Sequence, residues 1–157
     1  MEQLPQNLKA LLQDIGEDSV LLHLSILLGD VAGWNVYRSY AENACDIVLR
    51  RTHGTPRKGY RKELRIEVKS RQNLATVREG QQMHFILSKA EYDSCQFLVA
   101  YWFERGQYFV VPKSELKPAT KAKKSYRFIA NILKNGDYNA VSKRFLDRWD
   151  RITNLLK

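Results

Sequence analysis

Three residues in the first half of the chain have the types and spacing to act on a phosphate ester: Asp46, Glu67 and Lys69. Leu64–Lys69 reads as a strand, and successive strand side chains point to opposite faces. Ile66 and Val68 then turn one way, while Glu67 and Lys69 turn the other. Asp46 opens the preceding apolar run Cys45–Leu49, so a hairpin of the two strands brings Asp46 beside Glu67 and Lys69. Carboxylate oxygens are hard ligands suited to Mg²⁺, which keeps several waters and takes further ligands from phosphate. Mn²⁺ is the alternative ion. A bound metal lowers the pKa of its water and offsets charge on a scissile phosphate. Lys69 is placed to orient the attacking water or to stabilise transition-state charge. The Val68 carbonyl is a further candidate metal ligand. Glu-x-Lys is a common string and also describes a solvated strand face; the β context and the upstream Asp46 single this one out.

The surrounding elements must hold these three groups together. Leu8, Leu11, Leu12 and Ile15 recur at helical spacing, and Gly16 interrupts them. Glu17 and Asp18 then open a second helical stretch, acidic where a helix N-terminus favours it, with Val20, Leu21, Leu24, Leu27 and Leu28 as its apolar face. Gly33 ends it. Trp34–Tyr40 reads as a strand, Ala41–Ala44 as a turn, Cys45–Leu49 as a short buried strand and Arg50–Lys62 as a basic loop punctuated by Gly and Pro. Ser70–Gln81 reads as a polar loop, Gln82–Ser88 as a strand, and Lys89–Ser94 as a short helix or turn. Gln96–Phe103 and Gln107–Val111 are strands joined by a turn at Arg105-Gly106. Lys113–Ser125 is a basic connection, and Tyr126–Leu133 is ambiguous. Asp137–Leu156 reads as a final helix with Val141, Phe145, Trp149, Ile152 and Leu156 on one stripe, either core or a dimer interface. This order describes a mixed α/β domain.

With 157 residues, 44% of them hydrophobic, the chain suits one sizeable core and one domain, 1–157. The net charge of +9 suits a polyanionic partner, nucleic acid first and an anionic membrane surface second. The longest apolar run, Val20–Leu28, is far too short to span a membrane, and the opening MEQLPQNLKA lacks a signal-peptide layout. Cys45 and Cys95 form neither a disulfide framework nor a zinc spacing. A reducing compartment, cytoplasmic or organellar and not secreted, is expected.

Basic residues gather in two inserted segments, about 50–62 and 70–82. Arg50, Arg51, Arg57, Lys58, Arg61 and Lys62 lie between the two strands of the constellation, and the hairpin is expected to project from the same end of the sheet as the carboxylates. Such side chains neutralise phosphates or enter a groove. Ser70, Arg71, Gln72, Asn73 and Arg78, with Gln81 and Gln82, continue a polar segment of the kind that reads base edges. His84 is more consistent with a packed or solvent-facing strand position than with catalysis. Lys113, Lys117, Lys121, Lys123 and Lys124 form another basic stretch.

The run Asp46-Ile47-Val48-Leu49, a basic hairpin and then Arg65-Ile66-Glu67-Val68-Lys69 resembles the signature of the PD-(D/E)XK nucleases. Gly16-Glu17, Gly33-Trp34-Asn35-Val36, Tyr92–Tyr101 and Gln107–Pro112 extend the similarity over roughly residues 16–116. The layout is most similar to group I intron-associated homing endonucleases and less so to archaeal Holliday junction resolvases. Cys45 stands where the signature has its proline. The resemblance implies a restriction-endonuclease-like core with a central mixed sheet flanked by helices. It also implies Mg²⁺ and hydrolysis of DNA phosphodiesters, with Asp46 and Glu67 as metal ligands and Lys69 as catalytic lysine. An auxiliary helix carboxylate would fall on Glu17; Glu42 competes for that role.

The reading expected from this is a site-specific double-strand DNA endonuclease of the homing type. One active site per chain and two strands to cut favour a homodimer or homotetramer. The alternatives are a junction resolvase or another structure-selective, restriction or repair nuclease, and a DNA-binding module without catalysis.

Overall fold

The computed structural model describes residues 5–29, 33–40, 45–52, 62–71 and 74–157. The first element, α1, runs unbroken from Gln6 to Leu28, through the glycine expected to interrupt it. Glycine costs about 1 kcal/mol against alanine inside a helix. Here a Cβ on Gly16 would lie 1.7 Å from the Ser70 Oγ and 3.3 Å from the Tyr101 ring. The missing side chain is what lets the helix lie this close to the sheet. Glu17 and Asp18 are therefore in mid-helix, and the helix-dipole argument does not apply to them.

The strands are β1 (Trp34–Arg38), β2 (Ile47–Arg51), β3 (Glu63–Arg71), β4 (Ala75–Val77), β5 (Gly80–Ser88), β6 (Phe97–Trp102), β7 (Gln107–Pro112), β8 (Lys117–Pro118) and β9 (Ser125–Leu133). A short helix α2 (Lys89–Ser94) precedes β6, and two single-turn helices, α3 (Ala140–Lys143) and α4 (Asp150–Thr153), follow β9. Five strands form a sheet in the order β1-β2-β3-β6-β7. It is mixed, because β3 and β6 run parallel and the other neighbours antiparallel. A second, antiparallel sheet has the order β4-β5-β9-β8.

The predicted mixed α/β architecture with a central mixed sheet is present, with a difference in what covers it. Alternating residues of the central sheet send Leu64, Ile66, Val68, Val99 and Val110 into a core shared with Val20, Leu24 and Leu28 of α1. The other face sends Leu98, Ala100, Trp102, Phe109 and Val111 into a core with Met83, Phe85, Leu87, Phe128 and Ala130. A sheet, rather than helices, thus covers most of the second face.

Two segments differ from expectation. The polar run 70–82 is largely strand: β3 continues to Arg71, and β4 and β5 make a hairpin turning at Arg78-Glu79. Glycine permits that turn, since Gly80 has φ 150° and a Cβ there would strike the Ile132 carbonyl oxygen at 2.0 Å. The final helix over Asp137–Leu156 is instead two isolated turns. Its stripe is buried as expected except for Val141, but Phe145 enters one core while Trp149, Ile152 and Leu156 enter the other. The chain passes between them around the edge strand β7, bridging Leu146 to Phe109 and turning at Asp147 with φ 49°. A straight helix cannot serve both faces of one sheet. Among the described residues no helix is long and apolar enough to cross a membrane.

Candidate active site

Asp46 lies at the bend just before β2, which pairs with β3 from Ile47 opposite Ile66 to Arg50 opposite Glu63. Beyond Ile66, β3 continues beside β6 but has lost β2 as a neighbour. Its outward peptide groups there are met by side chains. The Val68 N–H donates to the Asp46 Oδ2 at 2.7 Å. Gln13 of α1 donates from Nε2 to the Val68 carbonyl at 2.8 Å and accepts from the Ser70 N–H at 3.1 Å. Two side chains replace the missing strand, and this fastens Asp46 beside the chain segment that carries Glu67 and Lys69.

Glu67 is 2% exposed. Lys69 Nζ lies 2.8 Å from the Glu67 Oε1 and 2.9 Å from the Glu91 Oε1. The other Glu67 oxygen, Oε2, is buried with no hydrogen-bond partner. Burial, reinforced by repulsion from Asp46, pushes the Glu67 carboxyl far above the usual carboxylate range, against the pull of Lys69. Asp46 is also pushed up, chiefly by burial, with repulsion from Glu17 adding to it and the Val68 hydrogen bond opposing it. Burial works against the Lys69 cation, but Glu67 and Glu91 outweigh it and hold its pKa above the ordinary value.

Glu91 comes from α2, where it completes a capping box: its N–H donates to the Ser88 Oγ and its Oε2 accepts from the Ser88 N–H at 2.7 Å. The lysine is thus anchored to the start of that helix. Glu17 faces the same region from α1. Its carboxylate accepts from Gln13 Nε2 at 2.9 Å and from Arg38 Nη2 at 2.8 Å. Arg38 also pairs with Asp14 and Asp18. A cleft of about 470 Å³ adjoins the site on the Lys69 side, lined among others by Lys9, Gln13, Lys69, Arg71 and Glu91 and not by Asp46 or Glu67.

A divalent cation fits this donor set. Two acids with raised pKa values share one place, and one buried oxygen has nothing to bind; a cation there would replace protons as the compensating charge. Among the described residues no group of three or more His, Cys, Asp or Glu side chains forms a complete metal cage. Asp46 and Glu67 would therefore be two ligands of an ion that takes the rest from carbonyl, water and phosphate oxygens, as Mg²⁺ does. The Val68 carbonyl already accepts from Gln13, which leaves it one lone pair.

The structure brings Asp46, Glu67 and Lys69 together, with Glu17 at their border. The expected DNA-contacting residues are scattered. Arg50 is exposed and pairs with Glu63 at 2.9 Å; Arg51 and Lys62 are exposed beside it. The rest of the β2–β3 tip lies outside the described residues; its described ends, Arg51 and Lys62, adjoin the start of β3, and Glu67 lies four residues beyond Glu63, about 13 Å at the rise of a strand. Ser70 is largely buried under α1, its hydroxyl facing Gly16, and it contributes to the cleft lining between Lys69 and Arg71. Arg71 lines the cleft and donates from Nε to the His84 carbonyl at 3.1 Å. Arg78 sits in the β4–β5 turn. Arg57, Lys58, Arg61, Gln72, Asn73 and Glu42 lie outside the described residues. Sequence reasoning missed Gln13, Arg38 and Glu91. Only Glu91 had a signal, the Ser-x-x-Glu capping string at Ser88.

Comparison of the sequence with family models and with curated proteins finds no match. Solved structures do match. Hjc, a Holliday junction resolvase from the archaeal hyperthermophile Archaeoglobus fulgidus, aligns over 90% of this chain and 95% of its own, at 16% identity and a TM-score of 0.54. The bacterial homing endonuclease I-Ssp6803I aligns over 93% of this chain and 92% of its own, at 17% identity and a TM-score of 0.57. Both alignments cover nearly the whole of each chain. The chain therefore shares its fold with the archaeal resolvase and the bacterial homing endonuclease.

Proposed function

We propose that this chain is a metal-dependent, site-specific double-strand DNA endonuclease of the homing type. The observation that carries the reading is the Glu67 Oε2: a buried carboxylate oxygen without a partner, next to Asp46 and a lysine that lines the adjoining cleft. Burying such a group is costly unless a ligand compensates it.

Asp46 and Glu67 would hold Mg²⁺, which when bound supplies an acidified water and Lewis-acid stabilisation of the phosphate. The protein's own groups have distinct tasks. Gln13 and Asp46 hold the Val68–Ser70 peptide groups rigid. Glu91 keeps Lys69 in place and charged. Lys69 is therefore a cation directed at phosphate charge rather than a base that takes a proton. Lys9 and Arg71 line the same cleft and would contact flanking phosphates.

Cutting both strands with one site per chain calls for two or four copies. A helix face on α1 supports this: Leu8, Leu11, Ile15, Leu22 and Ile26 are exposed, and at 100° per residue they fall in one stripe opposite Val20 and Leu24.

Supercoiled plasmid incubated with the protein and Mg²⁺ should be linearised at a defined site, and Asp46→Asn should not cut. Absence of any nicking by the wild type would end the nuclease reading. A strong preference for four-way junctions over every linear duplex would replace the homing type with a resolvase.

A further inference from the structure

The second sheet has an outward face whose chemistry the catalytic site does not use. Its four strands contain no Asp or Glu at all. The inward residues of β5 and β9 are buried, and alternation sends Gln82, His84 and Ile86 of β5 outward with Arg127, Ile129 and Asn131 of β9. Register sets Gln82 opposite Asn131, His84 opposite Ile129 and Ile86 opposite Arg127. Gln82 Nε2 donates to Asn131 Oδ1 at 2.9 Å, and its Oε1 lies 3.2 Å from His84 Nε2. The face is continuous with the catalytic cleft: Ile86 lines that cleft beside Lys69, and Arg71 reaches from it to the His84 carbonyl.

We propose that the β5–β9 ribbon is the base-reading element of this protein and docks in the major groove of duplex DNA. The inference rests on the nuclease reading and names where its specificity resides. The major groove is about 12 Å wide and admits a two-stranded ribbon. β5 and β9 pair over nine positions, while β4 flanks only residues 80–82 and β8 only 126–127, so the middle of the ribbon is two strands wide. Gln82 and Asn131 each carry a donor and an acceptor on one group, the pattern that matches the N6 and N7 edge of adenine. Ile86 and Ile129 present apolar surface of the kind that contacts a thymine methyl. Arg127 and Lys117, opposite each other across β8 and β9, supply the only formal charge on these strands, and it is positive, as a phosphate contact requires. Duplex RNA is the wrong shape, because its major groove is too deep and narrow for a ribbon.

The test is selection by binding from a randomised linear duplex library in Ca²⁺, followed by sequencing, with wild type, Gln82→Ala/Asn131→Ala and His84→Ala. Selection by binding keeps this inference separate from catalysis: a wild type that selects a sequence but never cuts fails the nuclease reading alone. The double variant should bind DNA yet lose discrimination on the order of tenfold at one or two neighbouring base positions. His84→Ala should relax an adjacent position. Arg127→Ala should weaken binding to all duplexes alike and lower the salt dependence by about one ion. The proposal is overturned if the variants, folded by circular dichroism, select the wild-type sequence with undiminished stringency. A wild type that selects no sequence, or that prefers single strands or duplex RNA, overturns it equally.

Discussion

Replacing Glu67 with Gln should abolish cleavage and, in metal-free buffer, make the protein more stable. The unfolded carboxyl titrates at 4.5, whereas in the folded protein burial and the Asp46 carboxylate push it up to about 8. A folded pKa above the unfolded one means that the folded state binds the extra proton. The associated stability is complete below pH 4.5 and is lost progressively as pH rises towards 8. Each pH unit in that window is worth about 1.4 kcal/mol, so by pH 7 the wild type has given up roughly 3 kcal/mol relative to a group that stays neutral. Gln mimics the protonated acid. Against that gain stands a weakened contact to Lys69, about 1 kcal/mol, and the fact that Asp46 and Glu67 titrate as a pair. A net stabilisation of about 1–2 kcal/mol at pH 7 is expected. Urea unfolding in EDTA at pH 5, 7 and 8 measures it, with the gap between variant and wild type widening as pH rises. Added Mg²⁺ should stabilise the wild type and leave the variant unchanged. A variant less stable than wild type at pH 8, or a gap that does not grow with pH, would refute the account of Glu67 as an uncompensated buried acid.

Other substitutions probe separate links. Gly16→Ala should destabilise by about 1–3 kcal/mol, because its Cβ would meet the Ser70 Oγ at 1.7 Å; thermal unfolding should show partial rescue by adding Ser70→Ala. Ser70→Ala alone should be neutral or slightly stabilising, since its buried hydroxyl has no hydrogen-bond partner. Glu91→Ala should cost about 1 kcal/mol through the lost α2 cap and also lower the cleavage rate, whereas Ser88→Ala should cost the cap while largely sparing the rate. Leu22→Glu, on the outward stripe of α1, should shift the protein to a smaller species in light scattering while leaving its circular dichroism unchanged.

What the linear chain makes legible here is what local chemistry controls. Alternation along β3 separates Ile66 and Val68 from Glu67 and Lys69, and the structure keeps that separation. The capping string at Ser88 starts α2 where the short helix was expected, and Gly106 turns the β6–β7 connection in the left-handed region. The chain's errors arise where a residue answers to something distant in sequence. Gly16 looks like a helix breaker until Ser70 and Tyr101 are found against it. The stripe from Val141 to Leu156 looks like one helix until its aromatic residues are divided between two faces of a sheet. The polar run after Lys69 looks like a loop because β4 buries none of its side chains and β5 buries only one face.

The same division holds at the site. The sequence by itself determined which groups can do the chemistry: two carboxylates and a lysine, at strand spacing that puts the last two on one face. Only the tertiary structure decided their state. Where β2 leaves β3, Asp46 and Gln13 take over its hydrogen bonds, Glu67 is sealed from water with one oxygen unpaired, and Glu91 arrives from α2 to hold Lys69 charged. Residue identity sets what a side chain is able to bind, but its pKa and its orientation follow from burial and from neighbours that only folding brings close.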